Sequence, residues 1–461
     1  MSMHLFRKEH AQNLLAEDQH FERSLTARDL IALGIGAVIG TGIFILPGTA
    51  AATEAGPGIA LSFLLAAVVC ILSAMCYAEF ASAIPVAGSA YSYGNIVYGE
   101  IVGWILGWAL ILEYMLAVAA GAAGFSSYFQ SFVKPFGLHL PASISGPMDL
   151  GHGVYFDIVA ISAVLIVCFL LSRGMRTSVK INNVAVLVKV AIVILFIVVG
   201  CFFIKPANYH PFLPYKVSGV IKGATTVFFA YLGFDAVSAS AAEVKNPQEN
   251  MPKGIIGTLS IVSILYMLVA LVLTGMVKYT KLDVANPVAF ALQLVHQDWL
   301  AELLSIGILL GMATMMITMI YSSSRLVYAM ARDGLLPHFF AKLDDKHNSP
   351  QRALWTVGTI IAVSGGIFSV NQLANLVNFG TLLAFTFVSF GVLLLRRRSD
   401  LKNDGYKVPG YPVVPILSGA ASIFMLCHLS KEMWTVAGIW FVIGLLIYFA
   451  YGYWHSQLQE K

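Results

Sequence analysis

Apolar residues run in long blocks along this chain, separated by short polar stretches. A helix needs roughly 20 consecutive apolar residues to cross a bilayer. Twelve blocks approach or exceed that length, at about 30–52, 58–83, 101–129, 154–172, 183–204, 219–241, 254–277, 303–331, 353–370, 374–395, 413–429 and 434–453. The pattern predicts an all-α membrane protein with one transmembrane domain, 30–453, between an N-terminal tail, 1–29, and a C-terminal tail, 454–461. The tail before the first block is polar and has no short apolar core or small-residue cleavage site, which argues against a cleaved signal peptide. The longest polar connection is 332–352, and the segment 278–302 has room for short surface or re-entrant helices.

Composition sharpens this picture. The chain is 58% hydrophobic and 11% charged, against about 25% charged in a soluble domain, so lipid must solvate most of its exterior. If the spans alternate, twenty of the 28 Lys and Arg residues fall on the side of the N-terminus and seven on the other. The positive-inside bias then places both termini in the cytoplasm and makes the chain a multi-pass protein of the cell membrane. The net charge of +4 follows from these loops and calls for no nucleic-acid partner. All five cysteines fall in apolar blocks without CxxC spacing and read as small buried hydrophobes. No metal set, cofactor motif, P-loop or HExxH pattern occurs, which argues against an enzyme.

The first block carries "GIGAVIGTGIF", with glycines at 34, 36, 40 and 42. Each glycine inside a helix costs about 1 kcal/mol relative to alanine. The spacing is not that of a dinucleotide fingerprint, and no strand precedes it. Two explanations stay open and are compatible: close helix packing of the small-xxx-small type, or an unwound segment at Gly40-Thr41-Gly42. Unwound backbone at membrane depth needs protein, water or a ligand as partner. An amino acid zwitterion fits, with its carboxylate on free N–H groups and its ammonium on free carbonyls.

The sixth block repeats the feature, with Gly233 beside Asp235 near its middle. Asp235 suits the capping of free N–H groups there. Two interrupted helices five spans apart point to an inverted-repeat transporter. The repeats would be about 30–204 and 219–395, with two extra helices at about 413–453. An odd number of spans per repeat inverts the second copy, as this topology requires.

"GIGAVIGTGIF", "AGPG", "YAEFASAIPVAGSAY", "VFFAYLGFDAVSASAAEVKNPQENMP" and "RDGLLP" together resemble the amino acid–polyamine–organocation superfamily, and within it the bacterial cationic-amino-acid-transporter-like branch. The resemblance covers nearly the whole chain. It implies a LeuT-type fold of twelve helices with a five-plus-five inverted repeat and unwound helices 1 and 6. It also implies a substrate site in which the carboxylate meets Thr41 and Gly42 N–H beside Gly40, and the ammonium meets the carbonyls of Val38, Phe229 and Leu232. Phe229 would close over the substrate, Glu113 would stand near the pocket, and Met319 would face the substrate side chain and narrow the pocket against long cationic substrates.

The remaining basic residue, Lys189, lies inside the fifth block, six residues after Asn183. Snorkelling to the interface is one reading. The other is an ionisable group facing the bundle interior, able to load and release a proton. By the resemblance, a lysine here stands where sodium sits in sodium-coupled relatives, tying spans 1, 5 and 8. Glu113 is an intramembrane carboxylate, a functional candidate or a helix-to-helix hydrogen bond. Glu79 and Glu243 lie near span ends, as gate or loop anchors. The sequence therefore reads as a proton-coupled importer of neutral L-amino acids, with branched-chain substrates favoured by the resemblance. Exchange, or broader alanine or cationic specificity, is the alternative, and a non-transporting sensor follows. The partners implied are substrate, protons and lipid; a small membrane accessory subunit is left open.

Overall fold

The computed structural model describes residues 7–8, 23–86, 88–137, 140–173, 179–344, 349–398 and 405–459. Most of the N-terminal tail, Arg176 and the last two residues lie outside the described residues. Among the described residues the structure is helical, with only isolated β-bridges such as Leu25 to Val244.

Every apolar block holds helix. In chain order the main helices are α1 (Ala27–Val38), α2 (Thr41–Ala50), α3 (Ile59–Ala83), α4 (Ser89–Val97), α5 (Glu100–Val133), α6 (Ile158–Ser172), α7 (Val179–Cys201) and α8 (Lys216–Val227). They continue as α9 (Phe234–Ala239), α10 (Pro247–Met276), α11 (Pro287–Leu294), α12 (Asp298–Arg332), α13 (Gln351–Ile367), α14 (Val370–Leu395), α15 (Val413–Cys427) and α16 (Lys431–Ile447). Among the described residues, seven helical segments are long and apolar enough to cross a membrane, and α6 and α15 are shorter apolar helices. The loop 278–302 holds α11, as its composition allowed; α4, between the second and third blocks, was not foreseen.

Local chemistry sets several of the ends. Thr26 donates its N–H and its hydroxyl to the Asp29 carboxylate, at 2.9 and 2.6 Å, satisfying groups that a bare helix start leaves open. Asp157 accepts from Ala160 N–H at 3.0 Å and from the Ser126 hydroxyl of α5 at 2.7 Å, so it caps α6 and fixes it to α5 together. The chain reverses between α2 and α3 at Gly56, whose φ of 62° lies in the left-handed region that glycine alone adopts cheaply.

The bundle is organised around α5, enclosed on nearly all sides and packed against α12, α13 and α14. α10 packs on α3 and α1, while α7 bridges α1 and α12. α16 faces mainly outward and is held to α5 by Trp108 and Trp440. Their rings stack at 4.6 Å, and each indole N–H donates to the other residue's carbonyl, at 2.9 and 3.2 Å.

Burial of the cysteines differs from expectation. Cys70, Cys76 and Cys168 are buried, but Cys201 and Cys427 are exposed. Both lie at the last residue of an apolar helix, where a small apolar residue suits lipid as well as it suits a core.

Glu79, fully buried near the end of α3, accepts two bonds from the Arg396 guanidinium just after α14, at 2.7 and 2.8 Å. Its carboxylate also accepts from Val408 N–H at 2.6 Å, which makes it a loop anchor. Glu79→Gln is expected to destabilise the protein by about 2 kcal/mol, because the partly buried Arg396 guanidinium loses its charged hydrogen-bond partner. The measurement is the thermal transition of the detergent-solubilised protein; an unchanged midpoint would count against the anchor.

Candidate functional site

The first break falls at Ile39–Gly40. Ile39 N–H bonds to Ile35 at 2.9 Å and is the last to close the ladder of α1. Gly40 (φ −146°, ψ −145°) then turns the chain, and α2 starts at Thr41. The unwound piece is one step earlier than the glycine spacing indicated, with Thr41 and Gly42 forming the first turn of the second half-helix. The first N–H groups of a helix have no partner within it, and the N-cap residue here is a glycine with no side chain to supply one. Every residue of α2 is buried. The Thr41 hydroxyl, also buried, makes no hydrogen bond.

On the other side of this break, carbonyls released from α1 are taken by side chains of other helices. Gly36 C=O, next in line after the last bonded carbonyl, accepts from Lys189 Nζ of α7 at 2.7 Å. Val38 C=O accepts from the Tyr266 hydroxyl of α10 at 2.9 Å. Lys189 is buried and its stem runs along Gly311 of α12, where an added Cβ would stand 3.1 Å from Lys189 Cε. One side chain thus joins α1, α7 and α12, and it points into the bundle rather than snorkelling.

The second break is longer. α8 gives way to a 3-10 turn at Phe228–Tyr231, Leu232 is extended, and Gly233 takes φ 105° before α9. A side chain at that φ is strained, and a Cβ there would press on the Ala37 backbone at 3.1 Å. Leu232 N–H bonds to Phe229 C=O at 3.2 Å. Each carbonyl carries two lone pairs, so Val38 and Phe229 keep one acceptor site apiece.

Glycines bring the two breaks into contact. A Cβ on Gly42 would stand 2.5 Å from Ala230 Cα, and one on Gly124 of α5 would stand 2.5 Å from Thr41 Cγ2. Close packing is thus shown at Gly42, and the break in the helix at Ile39–Gly40. The structure gathers Val38, Gly40, Thr41, Gly42, Phe229 and Leu232 around one locus, all buried.

Two other expected residues, Met319 and Glu113, are buried, and each has a neighbour that the sequence did not single out. Met319 is buried on α12, but the methionine facing Gly40 is Met315, one turn earlier. A Cβ on Gly40 would be 3.4 Å from Met315 Sδ, and one on Gly121 would be 3.1 Å from its Cε. Glu113 is eight residues before Gly121 on α5, about 12 Å along the axis. There it sits beside Asp235 of α9 and the Thr381 hydroxyl of α14, and its Oε2 makes no hydrogen bond. Asp235 lies in the first turn of α9 and accepts from the Tyr114 hydroxyl of α5 at 3.1 Å. This carboxylate pair was visible in the sequence only as two separate intramembrane acids.

Two broken helices that meet inside an apolar bundle, with free backbone groups and a buried lysine beside them, are the parts of a membrane transport protein. The family model for amino acid permeases matches residues 25–450, and the chain belongs to that family of multi-pass permeases. The chain is 46% identical to a methylthioribose transporter of Bacillus subtilis, over 99% of each chain. It is 42% identical to the branched-chain amino acid permease BcaP of the same organism, again over 99% of each. The BcaP of Lactococcus lactis is 42% identical, over 94% of this chain and 96% of its own.

Proposed function

We propose that this permease imports neutral L-amino acids, branched-chain ones first, across the plasma membrane with protons as the coupling ion. The observation that carries the reading is the buried, uncapped start of α2 with its unpartnered Thr41 hydroxyl. A buried helix end of this kind calls for an anionic partner, and a substrate carboxylate supplies one. The ammonium then reaches the spare acceptor sites of Val38 and Phe229 and the Leu232 carbonyl. Met315 over Gly40, with Met319 a turn further, leaves an apolar wall for the side chain, and among the described residues Glu113 is the acid nearest to serve a cationic one. The BcaP relatives support the branched-chain assignment.

In this reading the chain forms twelve spans, with α1 to α7 and α8 to α14 as inverted five-span repeats. α15 and α16 stand outside the repeats, and both termini are cytoplasmic. Lys189 carries the coupling proton: its ammonium holds Gly36 and so the inner half of span 1, and loss of the proton removes the charge-assisted part of that bond. An ammonium there also occupies the place where a sodium ion would need oxygen ligands.

The methylthioribose relative sets a second substrate reading, in which hydroxyl groups rather than a carboxylate meet the free N–H groups. Uptake into proteoliposomes under an inward proton gradient, without sodium, separates the readings. Labelled leucine, alanine, arginine and methylthioribose would be compared. Leucine accumulated above equilibrium is the expected result. Uptake only into amino-acid-loaded vesicles would make the protein an exchanger, and uptake of methylthioribose alone would overturn the amino acid assignment.

A further inference from the structure

The two breaks are held in the same way by two different residues. In span 6, Phe228 N–H bonds to Ala224 and is the last to close the ladder of α8. The next carbonyl, Thr225, accepts from Asn378 Nδ2 of α14 at 2.6 Å. In span 1, Ile39 bonds to Ile35, and the next carbonyl, Gly36, accepts from Lys189 of α7. Each side chain thus takes the first carbonyl that its broken helix releases. Lys189 is the eleventh residue of α7 and Asn378 the ninth of α14. These are the last helices of the two repeats, so the residues are counterparts under the five-plus-five reading on which this inference rests. Asn378 is fully buried, and its Oδ1 makes no hydrogen bond.

We propose that Asn378 is the outer clamp of the transport cycle: it holds the outer half of span 6 against span 10, as Lys189 holds the inner half of span 1 against span 5. A buried carbonyl without a partner is costly, so α8 leaves α14 only when that bond is exchanged for water. Water enters there when the outer side opens. The amide cannot lose a proton in this range, so the outer clamp answers to hydration and substrate while the inner one can also answer to protonation. The asymmetry gives the two gates different triggers from one repeated architecture.

Asn378→Leu keeps the side-chain size and removes the donor, and Asn378→Gln keeps a donor. Each would be combined with Thr226→Cys, a buried reporter on the outer half of span 6. Labelling by a membrane-impermeant maleimide would be read at that residue by mass spectrometry. The leucine variant is expected to label about tenfold faster, the population shift that follows when a buried carbonyl loses its partner. Its maximal leucine uptake should fall while KM stays close to that of the parent, and Asn378→Gln should restore part of both. Unchanged labelling and uptake would overturn the clamp. A raised KM with unchanged labelling would make Asn378 a substrate contact instead. Loss of membrane abundance alone, with normal activity per molecule, would reduce it to a folding residue. Labelling needs no substrate, so a wrong substrate assignment would show in the uptake arm while leaving the clamp test intact.

Discussion

Lys189→Met is expected to bind and exchange substrate but not to accumulate it under an inward proton gradient. Methionine matches the lysine stem in length and flexibility, so the packing of that stem along Gly311 is retained. What disappears is the charge and the donor to Gly36 C=O. A buried carbonyl left without its partner costs about 1–3 kcal/mol, which loosens α1 against α7. Exchange needs only that both sides open in turn. In the proposed mechanism net accumulation needs a step that depends on the proton, and the variant has no group at this position to carry it. Proton-driven uptake is therefore expected to fall at least about tenfold, a shift of about 1.4 kcal/mol, while counterflow of labelled leucine persists. Full proton-driven accumulation by the variant would remove Lys189 from the coupling mechanism.

The parts of this site that could be read from the chain are those with a local signature. Glycines in an apolar block mark a break because they weaken a helix wherever it occurs, and Gly40 and Gly233 both stand at one. A lone lysine in an apolar run is conspicuous because lipid does not tolerate it, and Lys189 indeed points inward. Met315 was missed for the opposite reason. Several methionines crowd α12, and which of them faces Gly40 depends on how that helix is rotated against α1. A one-turn shift exchanges Met315 for Met319 without changing any local pattern.

Facing also explains the cysteines and Glu113. In a soluble helix the polar stripe shows which side is out. In a membrane bundle both sides are apolar, so Cys201 and Cys427 carried no mark of exposure. Glu113 was recognisable as an intramembrane acid, but its meeting with Asp235 joins two helices far apart in sequence. Asn378 drew no notice because a single amide in an apolar span is unremarkable until its partner, the freed Thr225 carbonyl, is visible.

Gly42→Ala should weaken substrate binding on the order of a hundredfold and transport with it, in contrast with the Lys189 variant. The added methyl would stand 2.5 Å from Ala230 Cα, 2.8 Å from its Cβ and 3.1 Å from its N. These are largely backbone atoms of the 3-10 turn at the second break, so no flexible side chain can swing aside to make room. The two broken helices must move apart, by about 1 Å for ordinary van der Waals contact. That displacement separates the N–H groups at Thr41 and Gly42 from the carbonyls at Phe229 and Leu232, which the substrate bridges in the proposed site. Misplacement of this size costs on the order of a hundredfold where groups must meet in register. Gly438→Ala provides the control, since a Cβ there meets nothing within 4 Å and alanine favours the helix. Binding of labelled leucine to the purified proteins is the measurement. If Gly42→Ala bound as tightly as Gly438→Ala, the two breaks could not be in the contact on which the site depends.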